Sequence, residues 1–132
     1  MALSQEQMNL ARTDPKTFLS QVQYTKLRVH TRLESIRSWQ NLADLAPDKK
    51  PVNAVISEVQ NEIDALILLQ KDIHQLLEDT VKDELSLEIL RSRFVQGETL
   101  AQVSARTGYT RRWFGYLQTR AIKSFQNNLP AE

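Results

Sequence analysis

The chain has 132 residues with seventeen Lys/Arg against sixteen Asp/Glu, two histidines, no cysteine, and only three glycines and four prolines. That length holds one or two small units and no large catalytic cleft. The absence of cysteine excludes a disulfide framework and thiolate metal sites. The residue usage favours an almost wholly helical, all-α protein.

The first residues, MALSQEQMNLARTD, lack the basic-then-apolar order of a signal peptide. No run approaches the roughly 20 apolar residues that a membrane span requires. A cytoplasmic protein with no membrane association is therefore expected.

A break at Asp14–Pro15 precedes a long helix over residues 16–45. Phe18, Val22, Val29, Leu33, Ile36 and Trp39 supply its apolar positions, with irregular support from Leu19, Leu27 and Leu42. Pro47, Asp48 and Pro51 mark a loop over 43–51. A second long helix is expected over about 51–81 from its apolar seam. Val52, Ile56, Val59, Ile63, Leu66, Gln70, Ile73 and Leu77 alternate steps of four and three, a heptad pattern that asks for a partner helix. Gln70 either sets register or faces solvent.

The first helix suits that partnership. Residues 16–37 carry five Lys/Arg against one Glu, whereas residues 54–83 carry two Lys against seven Asp/Glu. The two can pair antiparallel as a hairpin. Val55, Leu69 and Leu76 widen the second helix's apolar face, either for a second subunit, giving a homodimer through the N-terminal helices, or for packing within the chain. His30 and His74 read as surface or structural histidines rather than metal ligands.

Residues 86–125 read as three short helices separated by two glycine turns. Leu87, Leu90 and Phe94 recur at helical intervals, and Gly97 follows as a stop. Thr99 and Gln102 have the spacing of a capping box. Leu100 and Val103 face inward, Ser104 permits close approach, Gly108 ends the second helix, and Tyr109 is expected to plug the turn. Thr110 caps a third helix over 111–125. Phe114, Leu117, Ala121 and Phe125 fall within about 80° of one another at about 100° per residue. Arg112, Tyr116, Thr119 and Lys123 lie opposite, flanked by Trp113 and Arg120.

That layout is the one whose last helix enters the major groove of duplex DNA. Guanidinium forks suit guanine edges and phosphates, and the helix N-terminus favours phosphate through its N–H groups and dipole. Residues 86–126 concentrate seven Lys/Arg against two Glu, a footprint expected when phosphates are the target. Trp113 is open to two readings, stacking on DNA or sealing against the N-terminal helices.

The run EILRSRF, then G-x-T-L-x-x-V, then G-Y-T-R-R, with Leu117 and Arg120-Ala121-Ile122 behind, resembles the region-4 DNA-binding domain of bacterial σ factors. The whole chain, with a helical part in front of such a domain, resembles the ArpU/RinA-type late-transcription regulators of phages infecting Gram-positive bacteria. The resemblance implies a hairpin unit over 1–83 and a helix-turn-helix unit over 84–132. It also implies a phage or prophage origin in a bacterial host and contact with the host RNA polymerase.

Carried over by position, Thr110 matches the family's Ser/Thr cap and Arg111 its first exposed recognition-helix residue. Arg112, Trp113 and Tyr116 occupy its base- and backbone-facing positions. Gly115 and Tyr116 stand where longer polar side chains are usual, and Thr107 replaces a usual leucine, so the base preference does not transfer.

The expected function is that of a sequence-specific regulator binding double-stranded DNA. Arg111, Thr99 and the helix ends meet phosphates, and Arg112, Trp113, Tyr116 and Arg120 meet bases or grooves. Thr110 and Lys123 complete the DNA-binding set. A phage small terminase subunit combines the same parts and is the alternative. A protein-interaction module, its basic helix docked on an acidic partner, is a third reading. No residues stand at the spacing of a nucleophile, base or metal cage, so no enzyme and no cofactor is expected.

Overall fold

The computed structural model describes residues 3–130, and these are all-helical. Helix α1 (Gln5–Thr13) leads into α2 (Pro15–Leu45), which a short loop joins to α3 (Lys50–Thr80). Then come α4 (Glu84–Leu90), a π-helical turn over Arg91–Val95, α5 (Leu100–Thr107) and α6 (Arg111–Asn127). The long pair and the three-helix segment thus stand where the periodicity placed them, and α6 runs two residues beyond the expected end.

Two features were not anticipated. Residues 5–13 form a helix, capped by the Ser4 hydroxyl, which accepts the Gln7 N–H at 3.2 Å. Its sequence is short and mostly polar. The break after it is real: Asp14 accepts the Thr17 N–H at 3.2 Å and the Thr17 hydroxyl at 2.6 Å, while Pro15 opens α2. The second feature is the π turn. It inserts an extra residue into what a regular count treats as one helix through Phe94, and Gln96 N–H reaches back to the Arg91 carbonyl at 2.8 Å.

Helices α2 and α3 form the antiparallel pair, pinned by an ion pair between Arg32 and Glu62 at 2.8 Å. The seam is unevenly buried. Val52, Ile63, Ile73 and Leu77 are buried, whereas Ile56, Val59, Leu66 and Gln70 are half-buried. Leu33, expected on the inner stripe of α2, is 53% exposed although its spacing puts it on the same face as the buried Leu19 and Val22. Leu76 is fully buried and Leu69 packs against the core, so both serve packing within the chain.

The core is continuous across residue 83. Ala11, Phe18, Leu19 and Val22 meet Ile73, Leu76, Leu77 and Val81. The same cluster takes in Ile89, Leu90, Phe94, Val103, Phe114, Leu117, Ala121 and Phe125. Phe18 and Phe125 stack with ring centres 6.0 Å apart at 19°. Polar contacts fasten the same junction. The Gln126 amide donates to the Arg12 carbonyl at 2.5 Å, and Arg12 donates to the Pro130 carbonyl at 3.1 Å.

Candidate nucleic-acid interface

The three-helix segment is built by local rules that its sequence states. Thr99 Oγ1 accepts the Gln102 N–H at 3.1 Å while Gln102 Oε1 accepts the Thr99 N–H at 2.8 Å, closing a capping box at the start of α5. Gly108 ends α5 at φ +79°, a left-handed conformation that L side chains rarely adopt. The Ser104 hydroxyl donates to the Tyr109 carbonyl at 2.6 Å and fixes the turn. Thr110 Oγ1 then accepts the Trp113 N–H at 3.1 Å and starts α6. Tyr109 is only a partial plug, with 36% of its surface exposed. Thr107 stays outside the core, its hydroxyl donating to the Val103 carbonyl at 2.7 Å.

Helix α6 has two chemically distinct sides. Phe114, Leu117, Ala121 and Phe125 are buried. Gln118 joins them, its carbonyl oxygen accepting Arg93 Nε at 2.7 Å. Arg111, Arg112, Thr119, Arg120 and Lys123 are exposed, and the helix contains no acidic residue. Trp113 is 49% exposed and Tyr116 52%, so neither ring is sealed against the hairpin. The two stack with centres 5.3 Å apart at 24°, and the Arg120 guanidinium lies 5.9 Å from the Tyr116 ring centre. Thr110, Arg112, Trp113 and Tyr116 together line one surface hollow. Arg111 and Lys123 are solvent-facing without gathering into it. Thr99 sits apart, at the start of α5, with its oxygen engaged in the cap.

Not every cation counted in the segment belongs to this face. Arg91 binds Glu78 through Nε at 2.8 Å and through Nη2, tying α3 to the π turn. Arg93 joins Gln118 and the Glu98 carbonyl. Arg106 forks onto Glu98 at 2.9 and 3.1 Å and reaches the Ser92 hydroxyl at 2.9 Å. These three arginines hold the unit together, which leaves the outward charge to Arg111, Arg112, Arg120 and Lys123. Their pairing is tertiary and has no sequence signal beyond carboxylates elsewhere in the chain.

The carbonyls at the end of the π turn face α2. The Gln23 amide donates to the Phe94 and Val95 carbonyls at 3.1 and 2.7 Å, and Lys26 also reaches Val95. Both histidines bond the carboxylate one turn on, His30 to Glu34 at 3.2 Å and His74 to Glu78 at 3.0 Å. The hydrogen bond from Arg91 is the main influence on Glu78 and holds its carboxyl below the usual range. No helix among the described residues is long and apolar enough to cross a membrane. No family model, curated protein or solved structure matches the chain.

Proposed function

We propose that the chain is a sequence-specific, DNA-binding transcription regulator that lays α6 in the major groove. The observation that carries this reading is the outer face of α6, where exposed arginines, a lysine and two aromatic rings stand on a helix without a carboxylate. The burial of Phe114, Leu117, Ala121 and Phe125 supports it further, because it fixes which side of α6 faces outward. In this reading Arg111, Thr99 and the helix N-termini meet phosphates. Arg112, Trp113, Tyr116 and Arg120 meet base edges, and Lys123 follows the backbone. The σ-like order of parts and a phage or prophage origin belong to the same proposal.

The hairpin supplies a second copy's docking surface in this reading. Tyr24, Leu27, Leu42 and Leu45 are exposed on α2 and fall within about 60° of one another at about 100° per residue. A two-fold dimer through that face presents two reading helices to two half-sites.

The test removes the guanidinium pair, Arg111→Ala with Arg112→Ala. The Arg112 contact with a base edge contributes about 1–3 kcal/mol and the Arg111 contact with phosphate adds to it, so the loss is at least about five-fold in affinity. Anisotropy titrations on duplexes recovered from a random pool measure it, and the melting temperature stays that of the parent because both side chains are exposed. Unaltered affinity would falsify the assignment of α6. Native mass separates regulation from DNA packaging: a dimer fits the proposal, and a closed ring of many subunits refutes it.

A further inference from the structure

Two large aromatic rings on the outward face of α6 are not explained by phosphate binding, which needs cations and N–H donors. Trp113 and Tyr116 are also not explained by folding, since about half of each remains in contact with water. They are nevertheless ordered with respect to each other. Trp113 stacks on Tyr116, and Arg120 lies over the other ring, giving three planes in succession along the helix. Thr110 and Arg112 complete a mainly apolar hollow of about 400 Å³ beside them.

An apolar hollow edged by Arg112, on a helix whose exposed face is cationic, selects an occupant that is anionic overall and greasy at one point. The major groove of DNA offers one such point, the C5-methyl of thymine; every other base-edge feature there is a donor or an acceptor. The occupant's charge is set by Arg111, Arg112 and Lys123, while Arg120 is partly offset by Asp83 nearby. Because the rings are already stacked, little side-chain freedom is lost on contact.

We propose that the Trp113–Tyr116 pair reads thymine methyl groups, with Arg112 placed to read a guanine at the adjoining step. Arg120 positions the Tyr116 ring, over which its guanidinium lies, at the groove edge. This inference rests on the reading of α6 as the groove helix and adds the base class that it prefers.

The experiment uses the full chain and the tightest duplex recovered from a random pool, resynthesised with deoxyuridine at every thymidine so that only methyls are lost. Affinity falls about three- to five-fold for each methyl in contact. In Trp113→Ala with Tyr116→Ala the two duplexes bind equally, and Trp113→Ala alone, with Tyr116 still under Arg120, narrows the ratio. Methyl loss also alters duplex stiffness, but that effect would persist in the double variant, so discrimination retained there overturns the proposal. Equal binding of both duplexes by the parent overturns this inference alone. Failure to recover any duplex overturns the groove reading and this inference with it.

Discussion

Replacing Gly97 by alanine tests how the helix-turn-helix segment is seated on α2. A Cβ at Gly97 would lie 2.5 Å from the Gln23 side-chain oxygen and 2.7 Å from its Cδ, at φ +74°. The amide is the end of a flexible side chain and can swing away. The cost is therefore set by the bonds it abandons, to the Phe94 and Val95 carbonyls at 3.1 and 2.7 Å. Each contributes about 0.5–1.5 kcal/mol net, and the left-handed backbone adds about 1 kcal/mol for any L side chain, so Gly97→Ala costs about 2–4 kcal/mol. Gly108 is the internal control. Its φ is +79°, but a Cβ there meets nothing within 4 Å, so Gly108→Ala carries only the backbone term. That term is about 1 kcal/mol. Urea denaturation followed by far-UV circular dichroism gives both values. Combining Gly97→Ala with Gln23→Ala must then cost less than the sum of the two single changes. Equal destabilisation by the two glycine variants, or strict additivity with Gln23→Ala, would refute the argument.

Three further outcomes follow from other parts of the molecule. Gly115 lies inside α6 with open space where its Cβ would stand, so Gly115→Ala stabilises the fold by about 0.5–1 kcal/mol in the same denaturation assay. Phe125→Ala removes a fully buried ring stacked on Phe18 and costs about 3–5 kcal/mol. Because the core joins both ends of the chain, α2 and α6 then unfold in one transition; two separate melting steps in the parent would contradict that continuity. Glu78→Gln lowers the melting temperature at neutral pH. The folded carboxyl is held below its ordinary value by Arg91, so its stabilisation is present above the unfolded pKa and fades as pH falls through the folded one. The gap between variant and parent closes in acid; a gap independent of pH removes the ion pair as its cause.

Much of this fold is legible in the chain because short-range rules govern it. Thr99 with Gln102, Gly108 and Thr110 with the Trp113 amide act within a few residues, so spacing alone locates both ends of α5 and the start of α6. The face of α6 is equally readable, since Phe114, Leu117, Ala121 and Phe125 repeat at the helical period. Long-range choices were hidden. Residues 5–13 are amphiphilic but short and mostly polar, and the helix they form depends on Ala11 docking into the core and on Gln126 bonding the Arg12 carbonyl. The π turn leaves no signature in residue type; it exists where Gln23 and Lys26 take up the carbonyls. The cations of residues 86–126 look alike in sequence, and only a partner such as Glu78 or Glu98 decides which arginines are spent internally. The exposure of Leu33 shows the same limit, since its spacing puts it on the stripe but whether another helix covers it there is a tertiary matter.

The long pair reaches well past the shared core. Val22 is the last α2 residue in that core, and α2 continues to Leu45, about 34 Å farther along its axis. The distal half is thus a lever whose fulcrum is the layer of Phe18, Val22 and Ile73. A tilt of about 10° at that layer sweeps the loop around Pro47 through about 6 Å. A force applied at the tip would therefore act with mechanical advantage on the orientation of the helices at the base.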